Sequence, residues 1–152
     1  MFSLAKIFTT FFYLGYSPVA PGTIGSVAAI ILWWFFLNIN FLYFLTFFLL
    51  YILFAYIFTK IYLNDEEKDD PSEIICDEVI GQFIPLFIIS STNDIYLILI
   101  AFVSFRIFDI YKLYPANYAE TMNGANGVII DDVIAGVYSL IIVFIFKYLL
   151  SL

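Results

Sequence analysis

The 152-residue chain contains no histidine and a single cysteine, Cys76. The absence of histidine excludes a Ser-His-Asp triad, a phosphohistidine intermediate and zinc sites with histidine ligands. A lone cysteine excludes an internal disulfide and a cysteine zinc site. It also cannot serve a Cys-x5-Arg phosphatase, because Gln82 stands where the arginine would be needed. Any metal must therefore be held by oxygen atoms, which favours Mg²⁺, Mn²⁺ or Ca²⁺.

Charge is scarce as well. Only 12% of the residues are charged and 64% are hydrophobic, and no Asp, Glu, Lys or Arg occurs from Ile7 to Thr59. A water-soluble domain of this length has too much surface for its volume to bury so many apolar side chains. The composition therefore predicts an integral membrane protein with one domain, residues 1–152. Six basic residues without a basic patch argue against a nucleic-acid partner.

The spacing of apolar runs predicts an all-α fold, since a spanning helix needs about 20 apolar residues. We expect a polytopic membrane helical bundle with four to five transmembrane or membrane-embedded helices and a short interfacial helix within Met1–Tyr13. An acidic loop is expected at Asp65–Asp70, another loop at Tyr114–Gly127, and a kink at Pro85. The predicted segments are Ser26–Leu37, Phe41–Thr59, Ile74–Ser91, Ile95–Leu113 and Val128–Leu150.

Counting these crossings places the polar motifs on one membrane face. The starts of the third and fifth segments and the end of the fourth all lie there. Most basic residues share that face, and only Lys147 is near the other; the shared set is Lys6, Lys60, Lys68, Arg106 and Lys112. The positive-inside rule makes this face cytoplasmic.

Five carboxylates stand at the edges of the apolar runs: Asp77, Glu78, Asp109, Asp131 and Asp132. A carboxylate at membrane depth costs about 2.5–3.5 kcal/mol, so several of them indicate a partner. The tandem acids repel each other, which a divalent cation would relieve. We therefore take all five as candidate catalytic residues and metal ligands. For Asp77 and Glu78, the alternative is simple stabilisation of a helix dipole in the first turn.

Arg106 and Lys112 flank Asp109 at three-residue spacing, so each shares a helix face with it. This spacing fits a surface ladder of ion pairs. It fits equally well an arginine that binds a phosphate through two parallel hydrogen bonds, with an acid beside it for the metal.

A stretch rich in glycine and hydroxyl groups, Gly15–Ser26, leads into the first long segment. Its backbone amides and the positive end of the helix dipole could cradle a phosphate, although composition alone favours a plain helix entry with proline stops. The candidate phosphate-binding residues are Ser17, Gly22, Thr23, Gly25, Ser26, Arg106 and Lys112.

In four motifs the sequence resembles the phosphatidylglycerophosphatase A family of bacterial membrane phosphatases. The motifs are Ser-Pro-x-Ala-Pro-Gly-Thr-x-Gly-Ser at Ser17–Ser26, Asp77-Glu78-x-x-Gly81, Phe105-Arg106-x-Phe108-Asp109-x-x-Lys112, and Gly127-x-x-x-Asp131-Asp132-x-x-Ala135-Gly136. The resemblance implies Mg²⁺-dependent hydrolysis of the terminal phosphate of phosphatidylglycerophosphate, a phospholipid substrate, to give phosphatidylglycerol. It also implies a multi-pass protein of the bacterial cytoplasmic (inner) membrane with its active site facing the cytoplasm. Leu113 departs from the proline expected there, and Ile129-Ile130 from a commoner methionine-containing pair.

Two other classes of function stay open at this point. A small cation or proton transporter would use the carboxylates as an ion path, but the opposite halves of the segments carry only Asp94. An assembly subunit would make the one-sided motifs accidental. The sequence also leaves open the nucleophile (aspartate or water), the number of metal ions, the preference for acyl chains or lyso-lipids, and the oligomeric state.

Overall fold

The computed structural model describes residues 1–66 and 71–150, and this part of the chain is helical without any strand. The all-α prediction is therefore confirmed. A short 3₁₀ turn at Leu14–Tyr16 separates the first two helices. The α-helices are α1 (Phe2–Thr9), α2 (Pro21–Phe36), α3 (Phe41–Glu66), α4 (Cys76–Leu86), α5 (Ile95–Tyr111), α6 (Ala116–Glu120) and α7 (Ala125–Leu150).

Within residues 1–66 and 71–150, two helices are long and apolar enough to cross a membrane, over Phe41–Asn64 in α3 and Ala125–Leu149 in α7. The predicted third segment, Ile74–Ser91, is much shorter in the structure. Its helix α4 has 11 residues, a rise of about 16 Å at 1.5 Å per residue, whereas the bilayer core is about 30 Å thick. Pro85 lies in the last turn of α4, which ends at Leu86, so it does not stand inside a longer helix as the sequence predicted.

Other helix boundaries also differ from the sequence prediction. Helix α2 begins at Pro21 and not at Ser26, because the fixed φ of proline suits the first position of a helix. The predicted loop Tyr114–Gly127 contains α6 and the first residues of α7. Helix α3 runs through Glu66, and residues 67–70 of the predicted acidic loop lie outside the described residues.

Helix α4 lies at the centre of the bundle and contacts α2, α3, α5 and α7. Its apolar side chains are fully buried except for Ile84, which is partly buried, and Phe83 packs between the rings of Phe44 and Phe48 on α3. On the opposite side it crosses α7 at two glycines. A Cβ on Gly81 would lie 2.7 Å from the carbonyl oxygen of Asp132, and one on Gly136 would collide with the carbonyl of Gly81. The absent side chains let α4 and α7 approach closely, which brings the polar starts of both helices together.

The N-terminal segment anchors the chain that leads into α4. The amide of Ile75 donates to the carbonyl of Thr9 over 2.9 Å, and Gly15 lies so close to the carbonyl of Glu73 that a Cβ there would collide with it. Helix α1 itself packs on α3, where Phe8 contacts Tyr51. The start of α4 is thus fixed from two directions, by α1 with its following turn and by α7.

Candidate active site

A polar cavity of about 280 Å³ lies where the starts of α2 and α4, the end of α5 and the second turn of α7 meet. We call it the acidic cavity. All seven charged residues in its lining were predicted from the sequence as site residues: Asp77, Glu78, Arg106, Asp109, Lys112, Asp131 and Asp132. The rest is Ala20, Pro21, Gly22, Pro71, Ser72, Ile74 and Val128.

Three carboxylates form a cluster within this cavity. Asp77 and Glu78 come from the first turn of α4 and Asp132 comes from α7, and one oxygen of each lies within 4.8 Å of the other two. Asp77 is 8% exposed and Asp132 only 3%. Three like charges held this close and this deep are unfavourable without a compensating cation.

The hydrogen bonding of the cluster fits the binding of a cation. Asp77 Oδ1, Glu78 Oε2 and Asp132 Oδ1 are buried, and none has a hydrogen-bond partner among the described residues. A buried carboxylate oxygen without a donor is costly, and carboxylate oxygens are the ligands that Mg²⁺ and similar hard cations prefer. The donor set therefore fits an oxygen-bound divalent ion.

Arg106 and Asp109 form an ion pair at the wall of the cavity, with Nη1 2.7 Å from Oδ2. Their side chains are only 18% and 14% exposed, so the pair is not part of a solvated surface ladder. The Nε of Arg106 is buried and has no hydrogen-bond partner within the described part of the chain. The guanidinium can thus offer donors to an anion that enters the cavity.

Lys112 does not pair with Asp109, although the three-residue spacing allowed it. It ends α5 in a left-handed conformation with φ of 43°, and its ammonium lies 2.8 Å from both Asp131 Oδ2 and Glu120 Oε1. Burial opposes the charged form, but the hydrogen bonds to Asp131 and Glu120 outweigh it and raise the pKa of Lys112. The ammonium therefore stays charged at neutral pH.

Asp131 and Asp132 have different environments despite being adjacent. Both oxygens of Asp131 are occupied, since Oδ2 accepts from Lys112 and Oδ1 accepts from the backbone amide of Asp132 over 3.0 Å. Asp132 instead points into the carboxylate cluster. The structure brings both to the cavity, but it places Asp131 beside the cluster and not within it.

The glycine-rich stretch contributes to the cavity mainly through Gly22. A Cβ at this position would collide with Glu78 Oε1 and lie 3.0 Å from Nη1 of Arg106, so the start of α2 lies directly against these two side chains. Gly25 packs on Ile75, and the Ser26 hydroxyl donates to the Gly22 carbonyl over 3.0 Å.

The structure therefore brings together only part of the predicted phosphate-binding set. Gly22, Arg106 and Lys112 line the cavity, whereas Ser17, Thr23, Gly25 and Ser26 do not. The hydroxyl of Ser17 bonds within its own turn, to the backbone of Val19.

Two polar residues near the cavity were not predicted from the sequence. Ser72 lines the cavity just before α4, and Glu120 on α6 holds the ammonium of Lys112. Ser72 follows the acidic stretch and Glu120 falls in a segment that was predicted as loop. Neither position carries a local pattern that distinguishes it from an ordinary surface residue.

Comparison with known proteins identifies the family. The sequence profile described as phosphatidylglycerophosphatase A matches residues 7–147. A protein named putative phosphatidylinositol-3-phosphatase from Bacteroides thetaiotaomicron is 36% identical, over 97% of this chain and 96% of that protein. No solved structure matches the chain.

Two relatives carry the family name itself. The phosphatidylglycerophosphatase A of Haemophilus influenzae is 39% identical over 85% of this chain and 80% of its own length. That of Escherichia coli is 34% identical over 82% of this chain and 73% of its own length. The chain therefore belongs to the phosphatidylglycerophosphatase A family and is a phosphatase.

Proposed function

We propose that this protein is a Mg²⁺-dependent phosphatase that hydrolyses the terminal phosphomonoester of phosphatidylglycerophosphate to phosphatidylglycerol and phosphate. The observation that supports this most directly is the cluster of Asp77, Glu78 and Asp132, whose unpartnered oxygens face the same cavity as Arg106. Cation ligands and an anion-binding guanidinium side by side fit the metal-assisted hydrolysis of a phosphomonoester.

In this proposal Asp77, Glu78 and Asp132 would hold the metal, while Asp109 keeps Arg106 in place through their ion pair. Bound Mg²⁺ would neutralise charge on the phosphate and help to generate or position the attacking oxygen. Arg106 binds two phosphate oxygens, and the start of α2 at Gly22 adds a positive dipole end.

Lys112 has a separate role at the rim of the cavity, where Asp131 and Glu120 fix its ammonium. Its charge would offset part of the negative charge of these two carboxylates next to the phosphate. Over the whole reaction a water oxygen becomes bonded to phosphorus, the bond between phosphorus and the glycerol oxygen breaks, and a proton from that water ends on the glycerol oxygen.

We further propose that the protein crosses a bacterial inner membrane several times, with the acidic cavity at the cytoplasmic headgroup level. Helices α3 and α7 are the long spans. Helices α2 and α5, with 16 and 17 residues, would rise about 24–26 Å and complete four crossings. Helix α4 and the residues that follow it would make a fifth passage, because α4 begins at the acidic cavity whereas α5 begins at the opposite end of the bundle. The orientation follows from the positive-inside rule.

The transporter alternative is not favoured. At the other end of the bundle, the cavity around Trp33, Phe44 and Phe87 has no charged residue in its lining. An ion path would need polar groups at that end as well. The acidic cavity is therefore better explained as a reaction site that is open at one end.

A second candidate substrate is phosphatidylinositol 3-phosphate. It is favoured by the Bacteroides thetaiotaomicron relative, whose name specifies that activity and which matches nearly the whole chain. Both lipids present a phosphomonoester on a polyol headgroup, so the same cavity chemistry serves either.

Phosphate release by the purified protein tests the proposal. Phosphatidylglycerophosphate, phosphatidylinositol 3-phosphate and phosphatidic acid are compared in Mg²⁺ and in excess EDTA. We expect the fastest release from phosphatidylglycerophosphate, its loss in EDTA and its recovery on adding Mg²⁺. Full activity after confirmed metal removal contradicts the metal-dependent mechanism, and faster release from the inositol lipid selects the second candidate.

A further inference from the structure

Helix α4 carries one polar side chain beyond its first turn, the amide of Gln82. Gln82 is fully buried, as are the apolar side chains of Ile80 and Phe83 on either side of it along the helix. Neither Oε1 nor Nε2 of the amide has a hydrogen-bond partner among the described residues. Buried polar groups are nearly always bonded, and an unpaired one inside a membrane protein is costly. The amide therefore indicates a partner that it meets in the working site.

Gln82 lies one helical turn after Glu78, on the same face of α4. Residues four apart in a helix have their Cβ atoms about 5–6 Å apart. Long side chains in helices also lean back toward the N-terminus, over the residues three and four positions earlier. Helix geometry thus directs the Gln82 side chain toward Val79 and Glu78. The turn that follows Asp77 in the same way holds Gly81, which has no side chain.

The unpaired atoms of Gln82 and Glu78 are chemically complementary. Oε2 of Glu78 is buried and accepts no hydrogen bond within residues 1–66 and 71–150, and Nε2 of Gln82 is a buried donor. The other oxygen of Glu78, Oε1, lies against Gly22 at the start of α2. Because no described group holds the amide of Gln82, its nitrogen is free to turn toward this carboxylate.

We infer that Gln82 is a positioning residue of the metal site, whose amide nitrogen donates to the carboxylate of Glu78 and holds it in the orientation that binds the cation. The inference rests on the proposed function, because it takes Glu78 to be a metal ligand. Gln82 does not line the acidic cavity, so it acts through Glu78 and not on the substrate. A neutral amide suits this position, since a second carboxylate would repel Glu78 and a cationic side chain would compete with the metal.

Replacement of the amide by a side chain of similar length tests the inference. Gln82→Met keeps an unbranched side chain but removes both the donor and the acceptor of the amide. The matched control is Leu86→Met, which places the same side chain at a fully buried position one turn further along α4, where no polar group is lost. Mn²⁺ binding to each purified full-length protein is measured by electron paramagnetic resonance. A thermal melt of each metal-free protein is measured in parallel.

We expect Gln82→Met to weaken Mn²⁺ binding about tenfold, the scale on which hydrogen-bonding partners of metal ligands act. Leu86→Met should bind Mn²⁺ like the wild type. The melting temperature of metal-free Gln82→Met should not fall, because the substitution removes a buried amide that has no partner in the metal-free protein. A lower melting temperature with unchanged Mn²⁺ affinity would show a purely structural role and overturn the inference. Equal losses of affinity in Gln82→Met and Leu86→Met would overturn it as well.

Phosphate release from phosphatidylglycerophosphate by the same samples separates this inference from the proposed function. Wild-type protein that binds Mn²⁺ about tenfold more tightly than Gln82→Met but releases no phosphate would contradict the proposed reaction and support the role of Gln82. Mg²⁺-dependent release by the wild type, with equal Mn²⁺ affinities in the wild type and Gln82→Met, would overturn the role of Gln82 and support the proposed reaction.

Discussion

The two ends of the helical bundle each hold a cavity, and the cavities differ in chemistry far more than in size. The acidic cavity has about 280 Å³ and the cavity around Trp33, Phe44 and Phe87 about 210 Å³. The first is lined by acids and bases from three parts of the chain, at α4, α5 and α7, and the second by aromatic and aliphatic side chains with Ser90. The volume of a cavity therefore does not identify the candidate active site in this protein, whereas the charge of its lining residues does.

The ends also differ in how their charges are matched. Near the aromatic cavity, the ammonium of Lys147 donates to the carbonyl of Ile88 over 2.6 Å, so a charge that reaches this end already has a partner. In the acidic cavity, one oxygen each of Asp77, Glu78 and Asp132 has no partner among the described residues. Buried polar groups are nearly always satisfied. The end of the bundle whose carboxylate oxygens have no partner among the described residues is thus the one suited to bind a ligand.

The largest effect should come from neutralising an acid of the cluster. Asp132→Asn removes a charge that no neighbouring protein group replaces, so we expect phosphatase activity to fall about a thousandfold, the upper end for loss of one electrostatic contact. Asp94→Asn, the same change at the opposite end of the bundle, should leave activity close to wild type. Asp131→Asn should lie between them, because Asp131 holds Lys112 and not the cluster. Steady-state phosphate release by the three purified variants measures this order. Equal losses of activity in Asp94→Asn and Asp132→Asn would contradict the claim that only the end with the acidic cavity is the reaction site.

A smaller loss is expected when the guanidinium is replaced. Arg106→Lys keeps the charge beside Asp109 but cannot make two parallel hydrogen bonds to a phosphate. A charged hydrogen bond is worth about 1.5–3 kcal/mol, which corresponds to a loss of roughly tenfold to a hundredfold in turnover. A thermal melt of the same sample is the control, and we expect it to be unchanged. A wild-type rate in Arg106→Lys would mean that the ion pair with Asp109 serves only stability.

The smallest effect concerns the start of α2. In Gly22→Ala the new methyl group must displace Glu78 Oε1 or the guanidinium of Arg106, and we expect about a tenfold loss, less than the hundredfold that a misplacement of 1 Å can cost. The neighbouring Thr23→Ala should have little effect, because Thr23 does not line the cavity. Activity assays at matched expression compare the pair. A larger loss of activity in Thr23→Ala than in Gly22→Ala would instead support the phosphate site with hydroxyl groups that the sequence suggested.

The sequence was sufficient to predict what depends on composition and on local charge. Long apolar runs predicted helices, and carboxylates at their edges predicted the lining of the acidic cavity. Burial of charge is costly enough that the chain places acids in such runs only where they have a partner. The presence of Asp77, Glu78 and Asp132 in one polar site could therefore be predicted from the amino-acid sequence alone. Their binding of a metal stays a prediction.

Pairings across the fold could not be predicted in this way. From the sequence, the ammonium of Lys112 could pair with Asp109, Asp131 or Glu120. In the structure Lys112 has a left-handed backbone conformation at the end of α5, and its ammonium pairs with Asp131 and Glu120. The adjacent acids Asp131 and Asp132 look equivalent in sequence. Their separation depends on the close crossing of α4 and α7 at Gly81, which is a contact between distant parts of the chain.

The most direct test of the account is whether the carboxylate cluster binds a divalent cation. Chelated, purified protein is titrated with Mn²⁺, a paramagnetic substitute for Mg²⁺, and the free ion is followed by electron paramagnetic resonance. We predict saturable binding to the wild type and to Asp94→Asn, displacement by Mg²⁺, and loss of that binding in Asp132→Asn. Binding that is equally strong in Asp132→Asn and wild type, or absent from folded wild-type protein, would contradict the account.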